Sequence, residues 1–305
     1  MQTLTDFALR DKYEKVRKLR SPLEDVKKLL DWNAFLSLFP DKLSIMGRPE
    51  YHKIFMVKIL FLQNWFGISD EEVEYQIHNR LDFQAFLDFP TQVPDYSTVW
   101  RFRDDLTEGE ILDKMWIELQ RQIREKYIDI QKGVIQDARF IFADPGKKRS
   151  GMEGRVSGAK TSRSRDGTWT KKNNKSYFGF KLHTKVQQGS KLITGMAVTT
   201  ASTHDSALDL ANQDEIVYRD KAYTGVKTRA RGNGSMKRGI LDIYDLLRNK
   251  RIAKKRCRGE HPYGVMDRVL HAGRTKLTTL ARVAVQQVFV VMAYNLHRLR
   301  FLLST

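Results

Sequence analysis

The chain has 305 residues, 41% hydrophobic and 30% charged, with 7 prolines. That is enough for about two cores and argues against wholesale disorder. No run of about 18 apolar residues occurs, so no membrane-spanning helix is expected, and the segment MQTLTDFALRDKYEK lacks the apolar stretch of a secretory signal. The single cysteine, Cys257, excludes an intrachain disulfide and a four-cysteine zinc centre, so a cytoplasmic protein is expected. The net charge of +18 is unevenly spread: residues 1–130 carry −4 and residues 131–305 carry +22. So basic a segment repels itself unless a polyanion neutralises it. Double-stranded DNA is the expected partner, ahead of a solvated basic surface or an acidic lipid.

The first 130 residues read as helical. Polar helices are expected over Asp11–Arg20 and Leu23–Phe39, the second with Ser21 as cap and Pro22 in its first turn. Tyr51–Phe66 is apolar nearly throughout and stops at Gly67, which favours a buried helix. Ser69 with Glu71 and Glu72 starts another. Leu81–Phe89 is short and stops at Pro90. Asp95-Tyr96-Ser97 introduces Thr98–Leu106, and Thr107 with Glu110 reads as a capping box for a helix through Tyr127. The pair around Pro90–Pro94 could form a helix-turn-helix presenting Arg101 and Arg103 to DNA, or a bundle that only packs or dimerises.

After Gln131 the pattern becomes strand-like. Gly133–Phe142, Tyr177–Val186, Leu192–Thr199 and Glu215–Tyr218 read as strands, the middle two joined at Gly189-Ser190. Ser206–Ala211 and Ile240–Arg248 read as helical, and Thr275–Leu303 as a long helix. The expected domains are an all-α domain, 1–130, and an α/β domain with a mixed sheet, 131–305. Between its first two strands, residues 145–176 hold ten Lys+Arg against two acids. They read as an irregular basic loop suited to tracking DNA with Arg149, Lys160, Arg163, Lys171 and Lys172, or as a solubilising insertion. Trp169 could stack on a base or pack on the domain.

Only 13 carboxylates lie in the basic half. Asp137 sits inside a strand, where an unpaired carboxylate is disfavoured. Asp220 follows the strand EIVY, at the strand end where α/β proteins bind ligands. Glu260 precedes an apolar helical stretch. Three carboxylates on separate elements could hold one or two Mg²⁺ ions, with Mn²⁺ as a substitute, for phosphoryl transfer. Arg256, four residues before Glu260, could clamp a phosphate or pair with Glu260. Asp144 competes with Asp137, and Asp205 reads as a helix cap or a supporting acid. Cys257, His261 and His271 make an incomplete zinc set. His183, among Lys181 and Lys185, is expected to be solvated or to face phosphate.

Six stretches, in order, carry a resemblance. They are GRPEYHKIFMVKILFLQNWFGISDEEVEYQIHNRLDFQAFL with PDYSTVWRFRDDL, then VIQDARFIFAD, NNKSYFGFKLHTKV, THDSALDL, YRDKAYTG and NKRIAKKRCRGEHPYGVMDR. Over roughly residues 20–300 the chain resembles the DDE transposases of insertion sequences, near the family numbered five. The resemblance implies an RNase H-like catalytic domain with Asp137, Asp220 and Glu260 as catalytic metal ligands. Arg256 and Glu260 match the family pattern around the glutamate; Ala253 and Asp267 stand where it has Tyr and Lys. The implied activity is metal-dependent cleavage at terminal inverted repeats and strand transfer, on the cytoplasmic nucleoid. Lys254, Lys255 and Arg256 would neutralise phosphates, and a homodimer would bring two ends together. The rivals are a non-catalytic DNA-binding regulator and a plain nuclease.

Overall fold

The computed structural model describes residues 12–14, 18, 21–40, 49–128, 133–146, 164–172 and 174–304. The chain divides into two units: one runs to Tyr127 and takes in the stretch from Val288, and the other is Ile128–Gln287. The stretch from Val288 therefore lies with the helical unit, whereas the sequence reading placed it in the α/β domain.

The helical unit is built around α2 (Lys53–Phe66), whose residues from Met56 to Trp65 are buried on every side. So apolar a helix must be wrapped by others. It stops where Gly67 takes the left-handed conformation, φ 64°, which costs glycine little. Helix α1 (Pro22–Leu29) is shorter than expected. Its chain turns extended at Leu30, and a 3-10 turn restarts at Trp32 under the cap of Asp31, whose carboxylate accepts from Asn33 N at 3.0 Å. Trp32 meets Phe61 and Phe86 edge-on at 5.3 and 5.4 Å. Then come α3 (Asp70–Asn79), capped by Ser69, and α4 (Leu81–Phe86). Helix α5 (Tyr96–Asp105) is capped by Asp95, and α6 (Ile111–Lys126) follows. The capping box does not form: the Thr107 hydroxyl donates to Asp104 O at 2.7 Å, serving the preceding helix instead. The expected helix Asp11–Arg20 lies mostly outside the described residues.

In the second unit, β1 (Gly133–Phe142) is central. On one side β3 (Lys175–Gln187) runs antiparallel, with Asp137 opposite Thr184; on the other, β5 (Ile216–Arg219) runs parallel, with Ile135 beside Tyr218. Strands β2 (Thr168–Lys172) and β4 (Ile193–Thr200) pair antiparallel with β3, and β6 (Gly232–Ser235) pairs parallel with β5. The mixed α/β sheet thus matches the expectation. Strand β2 corrects the reading of 145–176 as wholly irregular, and Ser206–Ala211 holds only a 3-10 turn at Asp205–Ala207.

Side chains two apart on a strand share a face. Ile135, Asp137 and Arg139 face one way, Gln136 the other. The Gln136 face is structural. Arg219 is fully buried there, donating from Nε to Gln136 Oε1 at 3.0 Å and pairing with Asp209. Lys185 pairs with Glu215 at 3.0 Å and Lys181 with Asp205 at 2.8 Å. His183, expected to be solvated or on phosphate, is fully buried between them, its Nε2 2.9 Å from Thr199 Oγ1. Helices α7 (Ile243–Arg256) and α8 (Glu260–Arg268) lie on the Asp137 face, and α9 (Leu280–Ser304) follows.

Candidate active site

The parallel pairing of β1 with β5 ends at Ile135 beside Tyr218, two residues short of both Asp137 and Asp220, and the two carboxyls are near enough for the charge of Asp220 to act on Asp137. Asp220 stands one residue past the end of β5, in extended backbone, with its carboxylate accepting from Ala222 N at 2.7 Å. One carboxylate therefore stands inside β1 and the other just past the end of the neighbouring β5.

The third acid arrives on α8. A Cβ at Gly259 would lie 2.7 Å from Ile135 Cγ2. Only glycine lets the start of α8 come this close to β1; Glu260, exposed at the first position of α8, is near enough for its charge to act on Arg256. Four residues on, the Tyr263 hydroxyl bonds Thr184 Oγ1 at 2.7 Å, on the residue opposite Asp137. Four further, Asp267 pairs with Arg139 Nη2 at 2.6 Å. Each four-residue helical step, about 6.0 Å, matches a two-residue strand step, about 6.6 Å. Helix α8 is thus docked along β1 at Ile135, beside Asp137 and at Arg139.

Arg256, at the end of α7, sits among the acids. Its Nη2 donates to Asp137 Oδ2 at 2.8 Å, so its partner is the strand aspartate rather than Glu260. Burial would lower its pKa, but the charges of Asp137, Asp220 and Glu260 outweigh that and raise it. Burial pushes the Asp137 carboxyl up by more than Arg256 pulls it down, and the charge of Asp220 adds to the rise. Three carboxylates on three elements thus share one guanidinium. Among the described residues no three His, Cys, Asp or Glu side chains are gathered around one point as a metal cage, and the Cys257, His261 and His271 set is not assembled either. The donors are nonetheless hard oxygens, as Mg²⁺ requires. A largely buried Asp137 is costly to ionise without a cation beside it, and Arg256 is placed there.

Three groups near these residues, two buried and one half-buried, were not singled out from sequence. Tyr223, three residues after Asp220, is fully buried, and its hydroxyl has no hydrogen-bond partner among the described residues. Burial, with the charge of Asp137 next, holds its pKa far above the ordinary value. Tyr263 and Arg139 are the others. Arg139 could have been found, being two residues after Asp137 on one strand face, and Tyr263 by its place one turn after Glu260. For Tyr223 no pattern in the sequence marks a buried ring.

The other sequence candidates lie elsewhere. Lys255 reaches Tyr218, and Lys254 is exposed. Lys171 and Lys172 are exposed on β2, where Trp169 packs on Phe178 at 5.3 Å. Arg149, Lys160 and Arg163 lie outside the described residues. Asp144 lies past β1 and closes a turn onto Gly146 N at 2.7 Å. Arg101 is exposed on α5, but Arg103 is buried, paired with Asp70 and donating to Gln63 at 2.8 Å. Arg103 holds α5 to α2 and α3, so its head is not free to read DNA.

Asp137 inside β1, Asp220 just past β5 and Glu260 at the start of α8 all act by charge on Arg256, the guanidinium paired with Asp137. The family profile described as "Transposase DDE domain" matches residues 134–296, more than half of the chain, and one described as "Transposase domain (DUF772)" matches residues 11–105. The chain belongs to the DDE transposase family. No solved structure matches it. Membership implies DNA as partner and a divalent metal. No helix among the described residues is long and apolar enough to cross a membrane.

Proposed function

We propose that the protein moves an insertion sequence of the family-five kind, cutting DNA at terminal inverted repeats and joining the freed ends to a target. What supports this is the ion pair of Arg256 with Asp137 at 2.8 Å, with the charges of Asp220 and Glu260 acting on the same guanidinium. Asp137, Asp220 and Glu260 would hold Mg²⁺ or Mn²⁺. That metal would supply an activated water and charge stabilisation at the scissile phosphate. Arg256, held by Asp137, presents a guanidinium to a phosphate oxygen. Water attacks phosphorus, the bond to the 3′ oxygen breaks, and the freed 3′ hydroxyl then attacks a target phosphodiester in the same way. An RNase H-like arrangement is the reading of the mixed sheet around β1. The helical domain would join two copies so that both ends are held.

The test is cutting and joining of supercoiled DNA carrying the flanking genomic repeats, with Mg²⁺ and with EDTA. Asp137→Ala, Asp220→Ala and Glu260→Ala are each expected to lose about a hundredfold or more of both activities while still binding DNA. A wild-type protein that binds without cutting would sink the transposing reading in favour of a DNA-binding regulator. Cutting without joining would make it a nuclease.

A further inference from the structure

A groove of about 230 Å³ runs between α7 and the β5–β6 edge. Tyr218 and the Gly232–Gly234 backbone line one side, and Arg248, Arg251 and Lys255 of α7 line the other. The lining holds three cations and no carboxylate. Arg248 donates to the carbonyl of Ser235 at 2.8 Å, and Lys255 Nζ to the Tyr218 hydroxyl at 2.7 Å. Both acceptors are neutral, so neither charge is cancelled. Arg251 is exposed. Cations in the last turn of a helix suit its dipole, but that alone asks for no shared face and no open space before them. Residues 248, 251 and 255 lie three and four apart, on one face of α7.

The glycines of the strand opposite let Tyr218 lie close against it. A Cβ on Gly234 would lie 2.7 Å from the Tyr218 ring and 2.9 Å from Val217 O, and one on Gly232 would lie 3.2 Å from Ile216. The groove also leads to the site. Tyr218 is two residues before Asp220 on one strand face, about 6.6 Å away, and Lys255 directly precedes Arg256. Along a duplex a strand advances about 3.4 Å per nucleotide. A strand with one phosphate at the carboxylates would thus have another, one or two nucleotides along, at the groove.

We propose that this groove binds a backbone phosphate of the DNA strand being cut, held by Arg251 and Lys255, with Tyr218 aiming the lysine amine. The inference rests on the proposed function for which strand lies there. Duplex and single strand offer the same phosphate, so both are probed. The full chain is titrated, in EDTA, against a labelled 30-base-pair duplex and the matching 30-nucleotide single strand, from 50 to 200 mM KCl. The double variant Arg251→Ala, Lys255→Ala is compared with a charge-matched control, Lys227→Ala, Lys276→Ala. Loss of one phosphate contact lowers the slope of log K against log salt by about 0.9 on duplex and about 0.7 on single strand. Affinity at 150 mM is expected to fall about tenfold for the groove variant and less than twofold for the control. The probe that responds identifies the form of DNA held. Equal effects of both variants, or none from the groove variant, would overturn the proposal. Should the double variant melt early, Arg251→Glu, at an exposed position, carries the same test alone. Because binding is read without metal, carboxylate variants that still cut would defeat the proposed function and leave this result standing.

Discussion

Arg256 and Asp137 depend on each other. Removing one partner of a buried pair leaves an uncompensated charge, at a cost of about 3–5 kcal/mol; both side chains are partly exposed, at 19% and 16%, so the lower end applies. Arg256→Met should lower the melting temperature, and Mg²⁺ should restore more of it in the variant than in wild type. Equal metal responses in thermal scans would count against Asp137 as a ligand. On the opposite face, burial pushes the His183 pKa down to about 4, more than nearby charges alter it. The unfolded chain takes up that proton near pH 6.5 and the folded one only near 4. Stability is therefore lost as pH falls from about 6.5 to about 4, by up to about 3 kcal/mol. In His183→Gln, the fall in melting temperature over that window should be shallower than in wild type. The place of Asp137 inside a strand and of Asp220 just past the end of one was legible from the strand patterns around them. His183 was misread because alternation gives the face of a side chain, not what covers that face.

At the level of elements, the site depends on how closely α8 lies on β1. Gly259→Ala would drive its Cβ into Ile135, and overpacking of this kind costs about 1–3 kcal/mol. Cutting should fall further than stability does, because Glu260 is displaced with the helix start. Ile135→Ala removes the opposing atoms, so the double variant should be less destabilised than the sum of the singles in denaturant melts. Tyr263→Phe removes the bond to Thr184 and should cost about 1 kcal/mol. Strands β1, β3, β4 and β5 were legible because alternation and β-branching agree in them. Strand β6 was not: Gly-Asn-Gly-Ser has no strand preference, and backbone pairing with β5 together with Arg248 on the Ser235 carbonyl holds it extended. Strand β2 was hidden for a similar reason, since two of its five residues are exposed lysines in a run of basic sequence.

For the whole molecule, the boundary near residue 130 was legible from the change of charge and pattern, but not the return of the chain. Composition cannot tell which unit a long apolar helix serves. From Val288 onward α9 belongs with the helical unit. There His297 lies 5.9 Å from Trp65, and Phe289, Val291, Met292 and Leu296 are buried. A chain stopped at Gln287 should lose the cooperative melt of its helical unit, and a peptide spanning Val288–Ser304 added back should recover part of it. Circular dichroism with and without the peptide would decide this. The same division sets a timetable during synthesis. The helical unit leaves the ribosome first, yet it must wait for the residues beyond Gln287 to close its core. At about 5–20 residues per second, making Ile128–Gln287 takes roughly 8–32 s, during which the apolar Lys53–Phe66 helix has no finished home. The second unit, made later, has its whole sequence available sooner after its own start and can complete its sheet first.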